Sequence, residues 1–302
     1  MSNIFGRVLA SMCARGVLGW LPDKQYLQLY YFGLFGKWID FDNPKTFNEK
    51  LQWLKLYNRK KIYTTMVDKE AAKKHVSDII GEKYIIPTIG VWQKFEDIDF
   101  SKLPNQFVLK TTHDSGGVCI CRDKSSFDIE KARKKINASL KHDFYRVGRE
   151  WPYKNVKHRI IAEEYIGSKS QNGIDDYKVH CFSGVPKVIL VCKDRFSDLG
   201  MTEDFFTASW EHIDVKRPTH NNAAMEPQYI AEVDEMLKLA SALSADIPFL
   251  RTDFYIVRNK IYFGELTFFP ASGFEKFKPE TFDFEMGGWL ELPPKEDNII
   301  ME

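Results

Sequence analysis

In this sequence of 302 residues, the carboxylates of Asp253 and Glu265 are the groups whose spacing most directly suggests chemistry. They lie in LRTDFYIVRNKIYFGELTFFPASGF (Leu250 to Phe274), where two runs of aromatic and β-branched residues flank Arg258-Asn259-Lys260. That pattern reads as a β-hairpin. With those three residues as the loop, Val257 pairs with Ile261 and Asp253 stands opposite Glu265. Directly opposed residues share a face with Cβ atoms ~5 Å apart, and like charges there repel. A divalent cation between the two would remove the repulsion. Hard cations such as Mg2+ take oxygen ligands, commonly one or two carboxylates plus the phosphates of a nucleotide. Thr267, two residues on, faces the same way and would add a hydroxyl. The competing reading is an exposed sheet face whose acids pair with Arg251 or a lysine.

The elements that would position these groups follow from pattern. Thr46-Phe47-Asn48-Glu49 has capping-box spacing, and Phe47, Leu51 and Leu54 continue as the apolar face of a helix. A second helix is expected from Thr65 to Ile80, stopped by Gly81 and carrying Lys69 near its start. QFVLKT (Gln106 to Thr111) and VCIC (Val118 to Cys121) read as strands around the polar turn Thr112 to Gly117. Such a flap can wrap a polyphosphate with free backbone N–H groups, Lys110 adding charge, although an ordinary turn fits as well. Gly-Lys-Ser/Thr before a helix is missing, so this is no Walker A motif. A basic helix spans Phe127 to Val147, and RIIAEEYI (Arg159 to Ile166) is a strand with acids near its end. Gly167 to Ile174 reads as a flexible hinge. Two strands then follow, Asp176 to Phe182 and Pro186 to Lys193, the first with Asp176, Lys178 and His180 on one face. Another strand is expected over Asp204 to Trp210 and a helix over Pro227 to Leu243.

Composition narrows the classes. Apolar content of 44% with 28% charged residues is that of a globular chain, and a net charge of +1 offers no global field for nucleic acid. Five cysteines without a CxxC pair read as free thiols in a reducing, cytoplasmic compartment. The first 22 residues are too interrupted, by Arg15 above all, to span a membrane. They read as a short amphipathic helix packed on the protein, with a weak peripheral contact at the inner membrane face as the alternative.

In chain order these pieces are a lysine on a helix, a lysine before a glycine flap, acids at a strand end before a hinge, and a carboxylate hairpin. The chain resembles the ATP-grasp fold, in which two α+β lobes grip MgATP, and within it the TupA-like branch tied to teichuronopeptide and other surface-polysaccharide synthesis. LPDK (Leu21 to Lys24), PKTFNEKLQWLKLY (Pro44 to Tyr57), DKEAAKKHV (Asp68 to Val76) and YFGELTFFPASGF (Tyr262 to Phe274) carry the resemblance over almost the whole chain. It implies an α+β fold with an antiparallel sheet core: a helical segment over 1–62, a linker and small α+β subdomain over 63–104, a lid lobe over 105–165, and a catalytic lobe over 166–302.

By the same resemblance Lys69 and Lys110 hold nucleotide phosphates, and Ser115, Gly116 and Gly117 cover them. Glu163, Glu164, Tyr165 and Ile166 form the hinge strand that meets adenine, and Asp176 binds ribose. Asp253 and Glu265 carry Mg2+, and Arg251 faces the transferred phosphoryl group. Ser272 and Gly273 meet a substrate carboxylate. Relatives usually place Asn where Thr267 stands, so Thr267 is the expected third metal ligand. Lys178 is grouped with the nucleotide residues and His113 with the substrate residues, though neither has a counterpart in the wider superfamily.

The expected activity is ATP-dependent ligation of a carboxylate, a uronic acid or amino acid, to an amine through an acyl phosphate. A sugar or polyol kinase on the same fold is one alternative, and a binding module without turnover another. A third is a glycosyltransferase using Asp97-Ile98-Asp99 as its metal-binding signature.

Overall fold

The computed structural model describes residues 4–167, 173–197 and 200–295. Five helices lead the chain: α1 (Ile4–Ala14), α2 (Asp23–Phe35), α3 (Phe47–Tyr57), α4 (Ile62–Val67) and α5 (Ala71–Ile80). Three strands follow, β1 (Thr88–Trp92), β2 (Phe107–Thr111) and β3 (Val118–Cys121), then α6 (Ile129–Leu140), α7 (Phe144–Gly148) and β4 (Ile160–Glu164). The remainder is β5 (Asp176–Phe182), β6 (Val185–Lys193), β7 (Thr202–Thr207), β8 (His212–Ile213), α8 (Glu232–Leu243), β9 (Phe249–Val257), β10 (Lys260–Thr267) and α9 (Thr281–Trp289).

Two antiparallel sheets result. A four-stranded sheet runs β1-β4-β2-β3, and a six-stranded sheet runs β10-β9-β5-β6-β7-β8. The first has its own core, where Phe107 and Leu109 of β2 meet Ala132 and Ile136 of α6. The second buries Tyr177, Val179 and Cys181 on the face that α8 covers. Alternation therefore turns Asp176, Lys178 and His180 to the opposite face. Phe47 of α3 packs on Phe182 and Phe249 at one end of that face.

The capping box forms as expected: the Thr46 hydroxyl accepts from the Glu49 N–H, and the Glu49 carboxylate accepts from the Thr46 N–H. The helix expected over 65–80 is instead two helices. Asp68 adopts ψ 113°, and its Oδ1 accepts from the N–H groups of Glu70 and Ala71 at 3.0 and 3.3 Å. A short acid that satisfies two free backbone donors starts a new helix more readily than it continues an old one. Lys69 consequently sits in the turn between α4 and α5, not on a helix. The basic helix expected over 127–147 also divides, into α6, capped by Asp128, and α7. The strand expected over 204–210 lies at β7, and α8 begins five residues after Pro227. Of the expected hinge, residues 168–172 lie outside the described residues.

The hairpin differs in detail yet keeps its central pair. Its loop is two residues, Arg258 and Asn259, both left-handed at φ 52° and 59°, and Lys260 pairs with Val257. Such turns match the twist of antiparallel strands and close a hairpin more tightly than three residues would. That shift alone would set Asp253 opposite Gly264. A bulge between Phe263 and Glu265 restores Glu265 to the position facing Asp253. Gly264 is suited to the bulge, because a Cβ there would stand 3.0 Å from the Asp253 carbonyl oxygen.

Candidate active site

The six-stranded sheet assembles a chain of alternating charges. β9 contributes Arg251 and Asp253, β5 contributes Asp176 and Lys178 beside them, and β10 contributes Glu265 and Thr267. Asp253 is 1% exposed and held by two cations. Arg251 Nε and Nη2 donate to its two oxygens at 2.7 Å each, and Lys178 Nζ reaches Oδ2 at 2.5 Å. Lys178 also donates to Asp176 Oδ2 at 2.6 Å, where Arg195 Nη2 arrives at 2.8 Å. Burial opposes ionisation of Asp253, but Arg251 and Lys178 outweigh it and hold its carboxyl below the usual range. At Asp176 burial wins and the carboxyl is raised. Asp176 Oδ1 is buried without a hydrogen-bond partner, so it can accept from a ligand hydroxyl.

The oxygens of the expected cation set lie together around the Arg251 guanidinium. Arg251 Nη2 lies 2.7 Å from Asp253 Oδ2, 3.1 Å from Thr267 Oγ1 and 3.3 Å from Glu265 Oε1. Three hard oxygens thus converge on one positively charged nitrogen. The Asp253 side chain is 2% exposed and that of Glu265 35%, so Glu265 is the member open to a ligand. Among the described residues no group of three or more acidic, histidine or cysteine side chains could hold a metal. A divalent ion here would complete its shell with phosphate oxygens and water, as Mg2+ commonly does. The ion pairs of the competing reading form, Arg251 and Lys178 both holding Asp253, but the face is largely buried rather than exposed.

A second cluster lies on the four-stranded sheet. Glu163 on β4 is 5% exposed and ion-paired to Lys110 of β2 at 2.5 Å and Lys73 of α5 at 2.6 Å. Burial opposes the Glu163 charge, yet the two lysines prevail and its carboxyl is lowered. The Lys69 ammonium donates to the Asp114 carbonyl, and its backbone N–H donates to Thr112 O at 3.1 Å. Burial pulls the Lys69 ammonium below its ordinary value while Glu265 acts in the opposite sense.

The flap between β2 and β3 is built around Asp114. Its carboxylate accepts from Thr111 Oγ1, Ser139 Oγ and the Gly117 N–H. A Cβ at Gly117 would overlap the Thr111 and Ser139 hydroxyls, which makes glycine a packing requirement. Ser115 and Gly116 are exposed at the tip, where their backbone can meet a ligand. His113 stands apart from this group. It is buried, stacked on His158 with ring centroids 3.6 Å apart, and its Nε2 lies 3.1 Å from Ser139 O and 3.2 Å from His142 O. Its place ties the flap to the end of α6. Glu164 is exposed at the end of β4, and half-buried Tyr165 and Ile166 lead out of the strand.

Near the far end of the hairpin, Ala271, Ser272 and Gly273 take left-handed φ of 45°, 55° and 64° in succession. Non-glycine residues held there are strained, and such strain persists where surrounding contacts fix it. Ser272 Oγ donates to Glu150 at 2.6 Å, and Ser272 O accepts from Lys55 Nζ at 2.7 Å. Lys55 is fully buried, with Gln52 Oε1 and Gly148 O as its other acceptors, and burial brings its ammonium down to about 7. Burial raises Glu150, with Lys55 and Arg251 pulling the other way.

Lys55, Lys73, Glu150 and Arg195 escaped the sequence reading. Two left a signal. Asn48, Gln52 and Lys55 form a polar stripe at helical spacing beside Phe47, Leu51 and Leu54, and all three are buried. Lys73 lies four residues after Lys69, one helical turn on. Asp97 and Asp99 lie on the surface, and Asp99 is occupied in accepting from the N–H and hydroxyl of Ser101 at 3.0 and 2.6 Å. That gives the Asp-x-Asp triplet a capping role.

Among solved structures, the D-alanine–D-alanine ligase from Bacillus anthracis complexed with ATP is 17% identical, the match covering 67% of this chain and 55% of that one with a TM-score of 0.40. The L-amino acid ligase from Bacillus licheniformis is 16% identical, over 81% and 55% of the two chains, with a TM-score of 0.45. The D-alanine–D-alanine ligase from Helicobacter pylori is 14% identical, over 82% and 69%, with a TM-score of 0.42. The chain thus spans little more than half the length of the first two. No curated protein sequence matches it. A model of the family described as TupA-like ATPgrasp matches residues 49–291, which include both charged clusters, the flap and the hairpin. The chain belongs to the TupA-like ATP-grasp family and has its α+β fold.

Proposed function

We propose that the protein is an ATP-dependent carboxylate–amine ligase that forms an amide through an acyl phosphate, and that it modifies a surface polysaccharide or its precursor. The observation that carries this reading is the convergence of Asp253, Glu265 and Thr267 on one cationic nitrogen, together with the lysines Lys73 and Lys110 ion-paired to Glu163 on the other sheet.

The nucleotide lies between the two sheets. Lys69, Lys73 and Lys110 face its phosphates and the flap N–H groups at Ser115 and Gly116 cover them, so negative charge on the transferred group meets preset donors. Asp176 takes a ribose hydroxyl through Oδ1, Lys178 opposes the rise that burial imposes on that acid, and Glu163 to Ile166 border the base. Asp253, Glu265 and Thr267 would hold a Mg2+ ion, which would neutralise negative charge on the phosphates. Arg251 turns from Asp253 toward the phosphoryl and carboxylate oxygens. Ser272 and Gly273 orient the acid. The acid oxygen attacks the γ-phosphorus and ADP leaves; the amine then attacks the acyl carbon, phosphate departs, and the amine proton passes to solvent. No protein nucleophile enters the sequence.

ADP release by the purified protein, measured over a panel of uronic acids, amino acids and amines with product masses, tests this. Amine-dependent ADP and phosphate with an amide product is the expected result. A phosphorylated acceptor without amine would replace the ligase with a kinase.

A further inference from the structure

We propose that the outward face of α1, with the turn that follows it, docks on an anionic membrane surface. Helix α1 is apolar on two sides. Its inner side, Gly6 and Cys13, is buried against α2, so closely that a Cβ on Gly33 would stand 2.8 Å from Ala10 N and 2.9 Å from Gly6 O. Its outer side carries Ile4, Val8 and Met12 at four-residue spacing, one stripe along the helix. Ile4 is 74% exposed and Val8 51%, and with Met12 and Val17 they line one open depression flanked by Arg7 and Arg15. Beside it an aromatic chain runs from Phe5 to Phe32 to Trp38, at centroid distances of 6.4 and 4.4 Å. Trp20, in the following turn, is 78% exposed. Isolated exposed apolar residues are ordinary, but a contiguous set of this kind marks a contact surface.

Charge selects the occupant. The first 22 residues hold Arg7 and Arg15 and no acid, although the whole chain is nearly neutral at +1. Apolar and aromatic groups flanked by arginines suit the boundary between acyl chains and anionic headgroups. A second copy of the chain suits the face poorly, since a two-fold contact would set the arginines of both copies together without a carboxylate in this segment. Among the described residues no helix is long and apolar enough to cross a membrane, so the contact is one of lying on the surface. The proposal stands apart from the catalytic reading, because none of these residues belongs to the charged clusters.

Co-sedimentation of the full chain with phosphatidylcholine vesicles, with and without phosphatidylglycerol, tests it. The wild type is expected to bind the anionic vesicles preferentially, and less as salt rises. Arg7→Glu with Arg15→Glu should remove that preference, and Val8→Glu with Trp20→Ser should lower binding by on the order of tenfold or more. Circular dichroism checks that each variant folds; the arginine pair lies on exposed positions and keeps the test valid if the other variant unfolds. Failure of the wild type to bind, or equal binding by the arginine variant, overturns the proposal. A concentration-dependent dimer abolished by Val8→Glu would assign the face to a second copy and overturn it too.

Discussion

The two sheets handle charge in opposite ways. On the four-stranded sheet three lysines, Lys69, Lys73 and Lys110, gather round one buried acid, Glu163, while the nearby Asp114 carboxylate is taken up by hydroxyls and a backbone N–H. On the six-stranded sheet Asp176, Asp253 and Glu265 meet Lys178, Arg195 and Arg251 one for one. The first cluster carries more positive than negative side chains, and the second is balanced within itself. On the function proposed above, the lysines would receive the nucleotide phosphates, and a cation would take up the oxygens that Arg251 now holds.

The largest expected effect comes from upsetting the balanced side. Asp253→Asn leaves Arg251 and Lys178 buried without their shared partner, and breaking such a pair costs about 3–5 kcal/mol. A lower melting temperature is expected together with a fall in kcat on the order of a thousandfold, read by calorimetry and steady-state ADP release. The surplus side should respond differently. Lys110→Met removes one phosphate-facing charge and should raise the KM for ATP by roughly ten- to a hundredfold, with kcat less affected. If Lys110→Met lowered kcat alone, the two sheets would not divide their roles in this way.

Thr267 probes the third oxygen. Thr267→Val should raise the Mg2+ concentration needed for half-maximal activity by up to about tenfold, and Thr267→Asn should retain wild-type affinity or better it, since an amide oxygen can ligate in its place. A magnesium titration of activity reads both.

The hairpin shows what was legible in sequence and what was not. Alternation of aromatic and β-branched residues marked both strands, and like charges across them marked the site. The loop length and the Gly264 bulge could not be read, because a pattern of period two is blind to one residue gained in a turn and one absorbed in a strand; the two departures cancel at Asp253. Lys69 was singled out by type and order, but its place in a turn was not legible, since Asp68 caps the backbone of α5 instead of continuing α4. Glu150, in the short link after α7, and Arg195, just past the end of β6, lie outside any periodic element that could place them.

The effect that is smallest at neutral pH concerns stability in acid. Burial, then Arg251, brings the His180 imidazole from 6.5 to about 3. Between those values the unfolded chain binds a proton that the folded one refuses, so stability is lost as pH falls through the window, at roughly 1.4 kcal/mol per pH unit. His180→Asn should flatten that part of the denaturation profile relative to wild type while leaving activity near neutral pH within a few-fold. An unchanged slope would place His180 outside the balanced network.

The central claim is that Asp253, Glu265 and Thr267, with the lysines opposite, form one MgATP site. Thermal denaturation of wild type and Glu265→Gln, each with ATP in the presence of Mg2+ or of a chelator, tests it most directly. The account predicts a melting temperature raised by MgATP in wild type and little raised in Glu265→Gln or under chelation. No rise in the wild type, or an equal rise in the variant, would contradict it.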